Sequence, residues 1–489
     1  MKKIVDYIKR YRPPKFMIYF IFLVPIVFSY IKNAKLDNDI WFLLNHGRYV
    51  LEHGIVYIEP FSIHNNLNFV MQQWLSSSIF WIIYKYFGVI GLRLLTSFVL
   101  MLITFFTYKL CMLVSNKKIY LSAIITVFVT SILSMFYIVD RPQIFTYLIL
   151  IVELYILELY IRNNNKKIIY ILPILSILLI NLHASMWLML FLFMLPYLID
   201  SFKIDLVFIN GEGYRKKHLF ICLILMIIGG FINPYGISAM TYLFGSYGIS
   251  EINQFVGEMK VTNMASSSGK FVFLSIFLVI FIYMFYKKGK FKLRYILLLI
   301  GTTYLSLSSY KGFAYFIISS IFPIAYYIRD SFNIYVDKTK YWNKKVLIFY
   351  KVLCIILMIF AFVFADIKFK YEKPKNYNSV NYILKNYDKN NIKLYTGYND
   401  GSYAEFMGLK CYIDPRAEVF LKANNQKDDI YIEYYNLQNR LISVNDFIEK
   451  YKFDVLLIEY NDVLNTSLPK YKIVYSDKDR LVYERINKG

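Results

Sequence analysis

Cysteine is scarce in this sequence. The four that occur, Cys111, Cys222, Cys354 and Cys411, have no paired spacing, and three lie in apolar stretches, so neither a disulfide frame nor a zinc site is signalled. Charge is scarce too. Asp, Glu, Lys and Arg make up 18% of 489 residues, too little polar surface for a soluble chain of this length. Acids are the rarer sign, 33 against 56 Lys and Arg, which leaves a net charge of +23. On a soluble chain that balance would point to nucleic acid. Here no basic stripe or nucleic-acid motif accompanies it, and nucleic acid is not expected as a partner. The cations sit instead in short runs between apolar stretches, where they orient helices and meet anionic lipid head groups.

What is abundant is apolar. Hydrophobic residues make up 57% of the chain and aromatics 19%, with 47 Tyr and 42 Phe. The apolar runs predict about eleven transmembrane helices: Phe16–Ile31, Val89–Val114, Ile119–Ile138, Ile144–Ile161, Ile168–Ile180, Met186–Ile199, Leu219–Ile232, Phe271–Tyr286, Tyr295–Leu307, Phe313–Ile328 and Val346–Ala365. The first run lacks a small-residue cleavage site and reads as a retained helix. With the N-terminus inside, the loops assigned to the cytoplasm hold about 25 Lys and Arg, against about six in the short loops outside, a strong positive-inside bias. An odd number of spans then places everything after Ala365 outside. Residues 1–365 are thus expected to form a membrane bundle, and residues 366–489 a small soluble α/β domain on the extracytoplasmic side. In that tail the pattern predicts helices at Ser379–Tyr387 and Val444–Tyr451. It predicts strands at Ile392–Tyr395, Leu409–Ile413, Val455–Glu459, Tyr471–Tyr475 and Leu481–Arg485, with a turn-rich edge around Gly401 and Gly408.

The first outside loop, residues 33–70, is long for a compact bundle, and such loops are usually functional or disordered. Its aromatics and leucines at helical spacing predict short helices lying in the membrane interface. It opens with Asp37-Asn38-Asp39-Ile40-Trp41. Two carboxylates just after a membrane helix have two readings: a solvated loop with Asp39 as helix N-cap, or a carboxylate that deprotonates an acceptor or holds a divalent cation. Spacing does not separate them.

The order of motifs does more. Asp37-Asn38-Asp39-Ile40-Trp41, Gly47-Arg48, His53-Gly54, Pro60-Phe61-Ser62 and Trp74-Leu75 are followed by Arg141-Pro142-Gln143, Asn181-Leu182-His183 and Asn233-Pro234-Tyr235-Gly236. In the tail come Tyr398-Asn399-Asp400-Gly401-Ser402-Tyr403 and Ile413-Asp414-Pro415-Arg416. Taken together, over nearly the whole chain, this set resembles the GT-C superfamily of integral-membrane glycosyltransferases. The resemblance extends to protein O-mannosyltransferases and the lipid A aminoarabinose transferase, and most closely to a poorly characterised bacterial branch. Two positions depart from that branch: Gln72-Gln73 stands where a His often precedes the Trp-Leu, and Lys311 where an Arg is common.

The resemblance implies a sugar donor on a polyprenyl phosphate or diphosphate and a lipid, glycan or protein acceptor on the outer side. Asp39, or Asp37, would be the catalytic base, and Arg141 and Lys311 would stabilise the leaving phosphate. His183 would be a substrate contact, and Glu258 a second acid or a substrate contact. No cofactor is certain; Asp37 and Asp39 could hold a divalent cation. Each residue also has a plainer reading. Arg141 and Lys311 can be loop-end cations, His183 a structural hydrogen bonder and Glu258 an exposed loop acid. Glu153 and Glu158, inside an apolar run, are candidates because a buried acid is costly there, though Glu158 near the cytoplasmic end reads equally as solvated. Asp414 and Arg416 read as a contact site at the sheet edge or as a structural ion pair, and structure is favoured.

Two other functions compete. A transporter or flippase for a lipid-linked substrate predicts internal repeats and helices broken at the midplane, and no repeat is evident. A non-catalytic membrane assembly protein with a partner-binding tail is the second, against which the Asp37/Asp39 pair argues.

Overall fold

The computed structural model describes residues 36–163, 166–245, 249–284, 286, 289–330, 352, 373–466 and 468–486. The expected spans Phe16–Ile31 and Val346–Ala365 therefore lie outside the described residues, apart from Val352. Four described helices are long and apolar enough to cross a membrane: Trp74–Val114, Ile119–Phe136, Gln143–Arg162 and Ser267–Met284. Shorter apolar helices at Leu172–Leu182, Leu188–Asp200, Lys217–Gly230, Leu293–Ser308 and Phe313–Ser320 fall where other spans were expected.

The helix Trp74–Val114 begins well before the expected Val89. Its kink at Gly88, with φ 60° and ψ −152°, explains the difference. Only glycine adopts that conformation without strain, so the apolar run continues while the axis turns.

Charge organises one end of the bundle. Arg294, fully buried, donates from Nε to Glu158 at 3.1 Å and from Nη1 to Asp200 at 2.8 Å, and it lies 3.1 Å from Glu212. Glu158 also pairs with Arg162 and accepts from the Tyr197 hydroxyl at 2.9 Å. Glu158 is thus not solvated but part of a buried network, which compensates the cost of burying its charge. At the same end, strands β1 (Ile209–Asn210) and β2 (Phe291–Lys292) pair in parallel, joining two segments both assigned to one side by their charge.

The tail folds on a four-stranded sheet of β3 (Leu394–Thr396), β4 (Val455–Glu459), β5 (Tyr471–Ser476) and β6 (Arg480–Arg485), in the order β3-β4-β6-β5. β3 and β4 are parallel, and the other pairs antiparallel. The run Val-Leu-Leu-Ile of β4 is fully buried, as a strand covered on both faces requires. Helices at Tyr377–Asn386 and Val444–Tyr451 match expectation. The segment Leu409–Ile413 is not a strand. Cys411 makes only single bridges, to Leu394 and to Ser62 of the first loop, because its backbone is shared between two chain segments. Gly401 begins a buried helix, Gly401–Phe406, rather than a sheet edge.

The first loop joins tail to bundle. Helix Ile40–His53 packs between the Trp74–Val114 helix and the Gly401–Phe406 helix, with the Trp41 ring 5.1 Å from both Tyr403 and Phe406. It does not lie free in the interface: the run from Ile40 to Gly47 is buried throughout, because the tail covers the face that lipid would otherwise meet. At Gly47 a β-carbon would fall 2.0 Å from the Ser77 carbonyl oxygen, so the helices can touch only with glycine there. Arg48 donates to the Phe406 carbonyl at 2.9 Å and stacks on Trp81 and Phe406.

A second buried charge cluster locks this arrangement. Arg416 binds Asp414, Glu405 at 3.2 Å and Glu59 of the first loop at 3.0 Å. It also donates to the His46 Nε2 at 3.0 Å. Glu59 in turn accepts from the Phe61 and Ser62 amides at 2.9 and 2.8 Å, which is the work of the Pro60-Phe61-Ser62 turn. Burial, reinforced by Asp414, pushes the Glu405 carboxyl well above the usual range, and burial with Arg416 holds His46 neutral. Arg416→Met is expected to cost about 3–5 kcal/mol, because it strands buried carboxylates. Thermal unfolding in detergent would read this; a variant as stable as the parent would show that the cluster is not a stabilising tie.

Candidate functional site

The chain leaves the Asp37-Asn38-Asp39 turn with the Asp39 amide donating to Asp37 Oδ1 at 3.0 Å. Asp39 sits at the N-cap position of Ile40–His53, yet its side chain makes no capping hydrogen bond. It goes to Arg141 instead. The guanidinium Nη1 lies 3.0 Å from Asp39 Oδ2, and Nε lies 2.7 Å from Asp37 Oδ1. One planar fork thus holds both carboxylates in fixed relation. All three side chains are about one-fifth exposed, so the cluster is lined by protein but reachable.

Arg141 also lies 3.6 Å from Glu258, and Lys311 lies 3.9 Å from the same carboxylate oxygen. Glu258 stands on the short turn Gly257–Met259, and Lys311 on the turn Tyr310–Gly312, whose backbone is joined to the Glu258 segment by the Tyr310 amide donating to the Lys260 carbonyl at 3.2 Å. Lys311 thus shares the Glu258 carboxylate with Arg141. His183 is buried, and its Nδ1 is 2.8 Å from Thr146 Oγ1. Burial and the Lys311 charge keep its imidazole well below its ordinary range, so it is neutral. Asn181 is structural: it accepts from Trp74 Nε1 at 3.0 Å and donates to the Ile177 and Ile232 carbonyls.

Two cavities meet at this cluster. The first, about 450 Å³, is walled by Asp39 of the first loop and by Arg141, His183, Glu258 and Lys311, with Gln72 and Gln73 just before the Trp74–Val114 helix. Its roof comes from the tail, through Tyr398, Asn399, Arg416 and Glu418. The second, about 500 Å³, is aromatic, lined by Phe136, Tyr137, Tyr147, Phe271, Tyr310 and Phe313 together with Asp37. Arg141, Gln143, Glu258 and Lys311 belong to both. Asp39 thus faces the polar chamber, Asp37 the aromatic one, and the cations stand between.

The electrostatics follow. Burial raises the Asp39 carboxyl to about 7, against the opposing pull of Arg141, with Asp37, Glu258 and Glu418 adding to the rise. Asp39, Asp37 and Glu258 hold the Arg141 guanidinium charged, well above its ordinary value despite burial. A carboxylate titrating near neutrality, on the wall of a cavity, is suited to accept a proton.

Asp37, Asp39, Arg141, His183, Glu258 and Lys311, expected from sequence to form the site, all line these two cavities. Glu153 does not; it is buried within Gln143–Arg162, and neither oxygen has a hydrogen-bond partner among the described residues. Sequence reasoning did not single out Glu418, gave Gln143 no role beyond its place in the motif, and favoured a structural part for Arg416, which also lines the cavity. Nothing local marks Glu418, since only the docking of the tail brings it over the bundle. Among the described residues no three His, Cys, Asp or Glu side chains group as metal ligands. Arg141 already fills the gap between Asp37 and Asp39, so this arrangement does not fit a divalent cation there.

No protein-family model and no curated protein matches the chain. Solved structures do. The apo oligosaccharyltransferase of Archaeoglobus fulgidus matches with a TM-score of 0.57 at 11% identity, covering 91% of this chain and 70% of that one. The same protein tethered to an acceptor peptide containing the NVT sequon matches at 0.52 and 11%, over 96% and 74%. ArnT from Cupriavidus metallidurans bound to undecaprenyl phosphate matches at 0.50 and 11%, over 96% and 97%. At such identity the likeness is one of fold. The chain shares the fold of these solved structures, the oligosaccharyltransferase and ArnT.

Proposed function

We propose that this protein is a membrane glycosyltransferase that moves a sugar from a polyprenyl-phosphate-type lipid to an acceptor on the outer face of the membrane. The observation that carries the reading is Asp39: a carboxylate titrating near neutrality in a polar chamber, held by Arg141 at the junction with an aromatic chamber. Two neighbours support it, since ArnT was solved with undecaprenyl phosphate and the oligosaccharyltransferase with an acceptor peptide.

In this reading the prenyl chain lies along Phe136, Tyr137, Phe271 and Phe313, and the phosphate between Arg141 and Lys311. The acceptor enters beneath the tail. Its hydroxyl or amide attacks the anomeric carbon opposite the phosphate, giving inversion. The bond from that carbon to the phosphate oxygen breaks, the electron pair leaves on the lipid phosphate, and the acceptor proton passes to Asp39. Arg141 and Lys311 stabilise the charge that grows on the phosphate. A divalent cation at Asp37 and Asp39 would first have to displace Arg141, and no step here depends on one. Residues 1–365 serve as the membrane bundle with a cytoplasmic N-terminus. Residues 366–489 serve as an extracytoplasmic domain that roofs the acceptor chamber.

The test is transfer of labelled sugar from synthetic polyprenyl-phosphate donors by the purified chain in nanodiscs, with envelope glycans, lipids and peptides as acceptors. Product and free polyprenyl phosphate are expected in equal amounts; donor turnover absent under all acceptors would overturn the reading. A further expectation concerns Glu258, whose carboxylate lies where it competes with phosphate for Arg141 and Lys311. Glu258→Gln is expected to lower the donor KM by about twofold to fivefold, the scale of an accessible ion pair. A raised KM would make Glu258 a substrate contact instead.

A further inference from the structure

An arginine inside a membrane helix is expensive and needs a reason. Arg93 lies in Trp74–Val114, five residues beyond the Gly88 kink, and is 5% exposed. Its Nη1 is 2.8 Å from Oδ2 of Asp140, a buried carboxylate, and the Thr96 hydroxyl of the same helix donates to Asp140 Oδ1 at 2.7 Å. Asp140 immediately precedes Arg141. The backbone between them is tightly wound, with the Arg141 amide donating to the Val139 carbonyl at 2.7 Å and the Arg141 carbonyl accepting from Ile144 at 3.2 Å as the next helix begins.

This places a fourth acid on the residue just before the one whose guanidinium already serves Asp37, Asp39 and Glu258. Left unpaired, Asp140 would compete for Arg141, since an adjacent carboxylate in a poorly solvated place attracts the nearest cation strongly. Arg93 and Thr96 turn it the other way, into the helix. We propose that Arg93 is a positioning residue: by binding Asp140 it keeps the Arg141 guanidinium turned toward Asp39 and free to receive the donor phosphate. Arg93 touches neither substrate nor Asp39 in this scheme and acts only through Asp140 and Arg141. The inference rests on the transferase reading, because it assigns Arg141 to a lipid phosphate.

The test is binding of undecaprenyl phosphate to the purified full chain in nanodiscs. Arg93→Met is expected to weaken binding about fivefold to tenfold, as the freed Asp140 takes Arg141. Adding Asp140→Asn to Arg93→Met is expected to restore affinity to within about twofold, since the competing charge is gone. Arg93→Lys, which keeps the charge, is expected to bind nearly as the parent does. Because removing the stranded charge would rescue a merely structural Arg93 as well, thermal unfolding is read beside binding: a structural role moves binding only in step with stability, whereas a positioning role moves binding in a chain that is still folded. Thr96→Val keeps the ion pair and the side-chain shape, and guards against a misfolded Arg93→Met; it should weaken binding in the same direction but less. Unchanged binding in Arg93→Met, failure of the double variant to recover, or unchanged binding in Thr96→Val where Arg93→Met does not fold, overturns the inference alone. A parent chain with no affinity for the lipid removes the proposed donor, and this inference with it.

Discussion

Replacing Asp39 by Asn is expected to reduce transfer by about 100- to 10,000-fold, the contribution of a positioned general base, while leaving donor binding close to the parent's. Asparagine keeps the shape, and its carbonyl oxygen can still accept from Arg141 Nη1, so the first loop should hold its place. What it cannot do is take a proton. The loss should therefore fall on kcat and spare KM, the signature of an interaction made in the transition state. The parent enzyme should show an acidic limb at about pH 7, because Asp39 titrates there and only its ionised form is a base. The sign is fixed: burial raises this carboxyl, so the rate climbs as pH rises through 7 and falls below it. Asp37→Asn should cost less, because Asp37 faces the aromatic chamber and acts by orienting Arg141. Transfer that survives Asp39→Asn would remove Asp39 from its role; a larger loss in Asp37→Asn would exchange the two.

Replacing Arg141 by Gln is expected to cost about 100- to 1,000-fold in kcat, as loss of one preorganised charge at a leaving group does elsewhere, and to raise the donor KM as well. Both parameters move because Arg141 has two tasks. It meets the phosphate in the ground state and stabilises its charge as the bond breaks. A third effect separates this variant from a simple binding defect. Arg141 is the cation that holds Asp39 down against burial. Without it the Asp39 carboxyl rises further, so the acidic limb of the residual activity should move to higher pH. Arg141→Lys should recover part of the rate and little of the geometry, since one ammonium cannot reach Asp37 and Asp39 with the planar fork that guanidinium offers. An Arg141→Gln variant with an unmoved limb would mean that Arg141 does not govern Asp39.

The membrane class, the helices and most tail strands were legible from the chain because each is a local pattern. Apolar runs of helical length, and the short apolar run Val-Leu-Leu-Ile buried in β4, depend on neighbours a few residues apart. The motif order added the long acidic first loop and the residues Arg141, His183, Glu258 and Lys311, which the folded chain brings to one place. What stayed illegible depended on distant partners. Asp39 could equally have capped its helix, and its choice of Arg141 is a contact across 102 residues. Glu158 read as equally solvated or functional because its partners Arg294 and Tyr197 come from other helices. Leu409–Ile413 had the alternation of a strand, but its backbone was shared with Ser62 and Leu394.

By itself, then, the sequence determined that this is a helical membrane protein, and which polar residues stand at the ends of its helices rather than within them. Hydrophobic length and charge placement are properties of contiguous chain, and lipid responds to them directly. Only the tertiary structure decided what those residues do to one another. The Asp39 carboxyl titrates near neutrality because burial outweighs the pull of Arg141, a residue far along the chain, and in our proposal Arg141 faces it because Arg93 holds Asp140 aside. A pKa and a side-chain direction are set by every charge within a few ångströms, wherever in the chain those charges arise.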